Sequence, residues 1–204
     1  MRKSYIPAFL TLLLSLSVIS CQKESYVAPY ITDFITAYTD GNGFIFKICD
    51  DRGGSFRTSD TTHLRPDTLY RKLMIYEISP DSTAATIHSQ SNVLASKPAR
   101  PSQRDSIDDP VGIRSVWKSG GWLNIVFEIK AMDKPHRLYA VDYSTPDRTV
   151  FRIMHNENQD KRSHTKKAYM SIPLKDYAGQ LSLNDTILLS YRNYDNEYIV
   201  LSVN

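Results

Sequence analysis

From residue 30 onward, short runs of β-branched and aromatic residues alternate with clusters of Gly, Pro, Asn and Asp, and this punctuation confines the chain to β architecture. Phe44, Phe46 and Ile48 alternate against Ile45 and Lys47, the period of a strand with two different faces. Just before them, Asp40-Gly41-Asn42-Gly43 supplies the positive-φ positions of a tight turn, and residues 30–38 form another run rich in Ile, Thr, Phe and Tyr. The pair reads as a hairpin. No amphipathic helical pattern and no internal repeat follows in residues 29–204, so the expected class is all-β.

The runs fall into two groups. Residues 30–38, 44–48, 56–58, 71–78 and 83–93 predict five strands, which within residues 29–97 suits a small five-stranded barrel of the OB type. Leu64-Arg65-Pro66-Asp67-Thr68-Leu69-Tyr70 has the spacing of a tyrosine corner, in which the phenol bonds back to upstream backbone. Such a corner comes late in a seven-stranded domain, and too few residues precede it here, so Tyr70 is read as a local brace. Residues 98–110 lose the alternation and gain proline and charge, the composition of a linker. Seven further runs in residues 111–204, separated by Gly120-Gly121, Pro146-Asp147, Asn184-Asp185 and Asp195-Asn196, predict a seven-stranded β-sandwich. Leu123, Ile125, Phe127 and Ile129 mark one core face of it.

The start of the chain is a different kind of sequence. Arg2 and Lys3 precede an apolar run over residues 8–16, which ends in Val18-Ile19-Ser20-Cys21. That is a signal peptide with a lipobox, residues 1–20, cleaved between Ser20 and Cys21 so that Cys21 becomes a lipidated N-terminus. The apolar run is too short to span a bilayer, which takes roughly 20 residues. Several acyl chains on Cys21, followed by the polar tether of residues 22–28, would hold the protein on its membrane where a single chain binds only reversibly. The expected location is the cell envelope, at the outer membrane, periplasmic or surface-exposed.

Composition narrows the partners. Arg2 and Lys3 carry two of the three net positive charges, so the mature chain is close to neutral and lacks the cations that a nucleic-acid partner demands. With Cys21 lipidated, Cys49 has no partner for a disulfide, and a buried inert thiol is the expectation. Asn156-Glu157-Asn158-Gln159-Asp160 spaces oxygen ligands as a calcium loop does, but Lys161 and Lys167 stand where glycine and glutamate are needed. No metal and no cofactor is expected. The basic stretch from Lys161 to Lys167 reads as a solvated strand edge. His63, His88, His136, His155 and His164 show no nucleophile-elbow, zincin or paired-ligand spacing, so no catalytic residue is assigned.

Trp117 and Trp122 are the candidate binding residues. Either two-residue turn between them, Ser119-Gly120 or Gly120-Gly121, places both indoles on one sheet face together with Ser115, Asn124 and Glu128. Such a patch would bind a sugar or a protein through flat apolar area. Alternatively it clasps the hairpin or packs against the first domain.

Several phrases together resemble the NigD-like lipoproteins of Bacteroidota. They are the lipobox, the tyrosine-rich first hairpin, Leu64-Arg65-Pro66-Asp67-Thr68-Leu69-Tyr70, Asp109-Pro110-Val111 leading into Ser115-Val116-Trp117-Lys118-Ser119-Gly120, and Ala168-Tyr169-Met170-Ser171-Ile172-Pro173-Leu174. The resemblance implies an N-terminal OB-type domain and a C-terminal β-sandwich domain, brings no catalytic residues with it, and adds a bacteriocin-associated role, in production or immunity, to the possibilities. The leading expectation is a non-catalytic envelope lipoprotein that displays two β domains to a protein, peptide or glycan. The alternative is an envelope hydrolase or carbohydrate-active enzyme with its site between the domains.

Overall fold

A computed structural model describes residues 29–102, 107–177 and 186–204. The lipidation and cleavage assignments at Cys21 and Ser20 lie outside them. The described chain is all-β, thirteen strands in three sheets, with a single 3-10 turn at Lys175–Tyr177.

The first five strands are β1 (Ile31–Thr39), β2 (Ile45–Asp50), β3 (Ser55–Arg57), β4 (Leu69–Ile78) and β5 (Ala85–Asn92), in the order β3-β2-β1-β4-β5. The outermost strands are brought together by a parallel bridge between Arg57 and Ala84, where Arg57 N donates to Thr83 O at 3.1 Å. The sheet is thereby curled around its own core of Ile35, Ile48, Met74 and Tyr76, each fully buried. Burying side chains of this size is worth about 1.5–3 kcal/mol each. In the β1–β2 turn, Gly43 has φ +84° and a Cβ there would lie 2.2 Å from Leu64 O, so only glycine fits. Asp40 Oδ1 closes the turn by accepting from Asn42 N and Phe44 N, both at 2.9 Å. The Tyr70 phenol accepts from Arg65 N at 2.9 Å, the backbone brace that its spacing predicted.

The remaining strands build a β-sandwich. They are β6 (Leu94–Ala95), β7 (Gly112–Ser119), β8 (Trp122–Ala131), β9 (Arg137–Asp142), β10 (Thr149–Asn156), β11 (His164–Pro173), β12 (Ile187–Arg192) and β13 (Tyr198–Val203). One sheet runs β6-β11-β8-β7 and the other β13-β12-β10-β9. Because β11 crosses to the opposite sheet, β12 returns parallel to β10. Leu123, Ile125 and Phe127 of β8 meet Phe151 and Ile153 of β10 and Leu189 of β12, all fully buried. Two features depart from the sequence reading. The two-residue strand β6, placed by pattern with the first group, pairs parallel with β11. Ala99, in the proline-rich stretch, is bound to the edge of β9 through Ala140 O and Asp142 N, both at 2.8 Å, which covers that edge.

Candidate functional site

The outer face of the first sheet is set by register. Phe34, Thr36 and Tyr38 on β1 stand opposite Leu73, Arg71 and Leu69 on β4. Alternation along β4 thus puts Arg71 on the face away from the first sheet's core, and that face lies against β8 and β11 of the sandwich. The guanidinium is almost completely buried, 2 % exposed for the residue, and it uses all five of its N–H groups. Nη1 donates to Asp51 Oδ1 at 2.7 Å and to Thr36 Oγ1 at 3.3 Å. Nη2 donates to Asp51 Oδ2 at 2.5 Å and Asn124 Oδ1 at 3.0 Å, and Nε donates to Ser171 Oγ at 3.3 Å. The rings of Trp122 and Phe34 lie 5.1 and 5.7 Å from its central carbon. A desolvated cation flanked by aromatic rings and held bidentately by a carboxylate is the geometry in which Arg is not replaceable by Lys.

The rest of the network comes from the β7–β8 hairpin. Ser119 pairs with Trp122, so the turn is Gly120-Gly121, with φ of +55° and +79°. A Cβ on Gly120 would lie 2.5 Å from Asp51 Oδ1, which is why the turn can approach the carboxylate so closely. Ser119 Oγ donates to Asp51 Oδ2, Asn124 Nδ2 donates to Ser119 Oγ at 2.8 Å, and Ser171 Oγ donates to Asn124 Oδ1 at 2.6 Å. Trp117 Nε1 donates to Ser119 Oγ at 3.2 Å while its ring meets Phe34 edge-on at 5.1 Å. The two indoles therefore share one sheet face, and the face is turned toward β1 and β4. The charged half of this clasp was missed in the sequence. Its trace there is Arg71-Lys72 at the start of a mostly apolar strand, a signal that does not say which partner is buried with it.

Beside the clasp lies a cleft of about 520 Å³ between the two halves of the molecule. Tyr38, Leu69, Trp122 and Pro173 contribute apolar wall, and Lys97 and Lys175 stand at its margin. It adjoins a second hollow of about 580 Å³, which shares Tyr38 and Leu69 and adds Phe46. Phe46 and Leu69 are about half exposed. Cys49 also lines the cleft and is only partly buried, contrary to expectation, because alternation from the fully buried Ile48 turns it outward beside Thr36. The carboxylates at the cleft are engaged. Asp51 is bound to Arg71, and Asp50 Oδ1 accepts from Arg52 N at 3.0 Å and Gly54 N at 2.6 Å. Among the described residues no histidine lines the cleft. Its chemistry is flat apolar contact with positive charge at the edge.

No curated protein matches the chain. Solved structures match over most of its length. A NigD-like immunity protein from Bacteroides caccae superposes with a TM-score of 0.69 at 24% identity, covering 86% of this chain and 93% of that one. A protein described as toxin-related from Parabacteroides distasonis gives a TM-score of 0.66 at 20% identity, over 86% of this chain and 94% of that one. A protein described as a lipoprotein from Bacteroides fragilis gives 0.63 at 9% identity, over 86% and 98%. At such identities the likeness is one of fold. Residues 95–203, just over half of the chain, match the family model for the NigD-like C-terminal beta sandwich domain, and the chain belongs to the NigD-like family.

Proposed function

We propose that this NigD-like protein is an envelope lipoprotein without catalytic activity that binds a segment of a toxin-type protein in the cleft between its two halves. The observation that carries the reading is the cleft itself, walled by Tyr38, Leu69 and Trp122 beside the Arg71–Asp51 clasp, with the Trp122 ring against the guanidinium. Rigid aromatic and aliphatic walls give contact area at low entropic cost, as protein-binding surfaces do. Domain organisation fits the same picture. Residues 29–97 read as an OB-type barrel, supported by the strand order and the Arg57–Ala84 bridge, residues 98–110 as a connector and residues 111–204 as the sandwich, except that Leu94–Ala95 and Ala99 are bound to sandwich strands. Lipidation at Cys21 would place both on the outer membrane. A toxin-type partner is supported by the structural likeness to an immunity protein and to a toxin-related one.

The test is genetic. A strain lacking the gene is challenged with secreted antimicrobial proteins from related strains, then complemented. Sensitivity should appear on deletion and be cured by the wild-type gene. Neither Cys21→Ala, which loses the anchor, nor Leu69→Glu, which charges the cleft wall, should cure it. A deletion strain as resistant as its parent to every such protein, or full rescue by Leu69→Glu, would overturn the proposal.

A further inference from the structure

Within the sandwich, two histidines and an aspartate form a chain that the cleft does not use. His136 lies in the loop between β8 and β9, His155 near the end of β10, and Asp160 in the loop after β10. His155 Nδ1 lies 2.8 Å from Pro110 O, His155 Nε2 lies 3.0 Å from His136 Nδ1, and His136 Nε2 lies 3.2 Å from Asp160 Oδ2. The chain is enclosed. His155 is 1 % exposed and the side chains of His136 and Asp160 are 4 % and 1 % exposed.

Pro110 O has no proton to give, so His155 Nδ1 must carry one. Asp160 is ionised: burial pushes its carboxyl up, but the N–H groups of Met132, His136 and Asp133 outweigh this and hold it well below the usual carboxylate range. His136 Nε2 must therefore carry a proton as well. Between His136 Nδ1 and His155 Nε2 a hydrogen bond at 3.0 Å needs one more. Two neutral imidazoles own only two ring protons, and this geometry uses three.

We propose that the His136–His155 pair holds a third ring proton, shared across the 3.0 Å contact, and that this proton is a pH-sensitive latch between the segment entering β7 and the β8–β9 loop. Burial lowers the His155 pKa, the Pro110 bond works against this, and the neighbouring His136 charge lowers it further. The third proton accordingly belongs to the pair and not to His155 alone. One end of the latch grips Pro110, with Asp109 N donating to His155 O at 2.9 Å. Its other end grips the β8–β9 loop, because Asp160 accepts from Met132 N at 2.7 Å and Asp133 N at 3.4 Å. The charged groups around it are Asp109 and Glu157, which face His155, and Lys134, which donates to the carbonyls of Asn158 and Gln159. Lys166 of β11 donates to Met132 O, and the cross-strand neighbour of His155 on β9 is the apolar Leu138. When the third proton leaves, two lone pairs face each other. His136 then turns or changes tautomer, and Asp160 loses its imidazole donor.

The experiment uses the full mature chain, with Cys21→Ser to omit the lipid, labelled with nitrogen-15. At pH 6 the pair should carry three ring protons, one of them on His155 Nδ1, and by pH 9 it should carry two. Exchange of the Met132 amide, corrected for hydroxide catalysis, should then be faster by about tenfold as the loop opens locally. Only two ring protons on the pair at pH 6, or corrected exchange that is unchanged between pH 6 and 9, overturns the latch. In His136→Gln the acceleration should vanish, whereas its persistence would also overturn the idea.

Discussion

Removing the Asp51 carboxylate by Asp51→Ala isolates what the clasp between the two halves is worth. In the intact protein the Arg71 side chain has no exposed surface and the Asp51 side chain 8 %, so neither charge falls back on water. The substitution strips the guanidinium of two of its five acceptors and leaves a buried, unbalanced charge. Breaking a buried pair in this way costs about 3–5 kcal/mol. A domain of this kind has roughly 5–15 kcal/mol in all, so the loss is large. The double variant Arg71→Met/Asp51→Ala removes both charges and keeps a side chain of similar length between Trp122 and Phe34. It should recover most of the loss, because an apolar replacement of a buried ion pair is often close to neutral. Asn124, Ser119 and Ser171 remain bonded to one another when the charges go. Urea unfolding followed by tryptophan fluorescence measures this directly, since both tryptophans of the chain, Trp117 and Trp122, sit at the clasp. Circular dichroism on the same samples reports the sheets. If Asp51→Ala lowers stability by less than about 1 kcal/mol, the pair behaves as an exposed surface bridge and the argument from burial is wrong. A double variant as damaged as the single one would equally sink it.

Other substitutions probe the elements that hold the site. Gly120→Ala should cost more than Gly121→Ala: both have positive φ, but only the first drives a Cβ to within 2.5 Å of Asp51, and thermal melts of the pair measure the difference. Tyr70→Phe removes the acceptor for Arg65 N and should lower stability by about 0.5–1.5 kcal/mol in urea, with the fold retained. Asp160 contributes to acid stability with a definite sign. Its folded carboxyl ionises below its unfolded one, so the stabilisation is complete above the ordinary value near 3.8 and is lost as pH falls below it. Asp160→Asn should flatten that acid limb in a pH series of denaturation curves, and an unchanged limb would contradict the assignment.

The β class, the hairpins and the core face of the sandwich are legible in residue order, because a strand reports itself every second residue and a tight turn needs its glycines, but in β2 a bulge against β1 breaks the alternation and leaves Ile45 and Ile48 in the core with Phe44 and Phe46 exposed. Gly43, Gly120 and the Leu123–Ile125–Phe127 stripe are read this way without any structure. The same local logic put Trp117 and Trp122 on one face and spaced Tyr70 for its brace. What alternation does not carry is what lies across from a face. Cys49 faces outward for a reason already present in its neighbours, yet its position in a cleft depends on β11 and on the hairpin turn. Arg71 and Asp51 are separated along the chain by 20 residues, Arg71 and Ser171 by 100, and His136 and Asp160 by 24. Residue order by itself determined the local geometry, since backbone preference and burial period act over a few positions. Only the tertiary structure decided which polar groups are buried together, because desolvation and hydrogen-bond satisfaction belong to contacts that chain order does not encode one strand at a time.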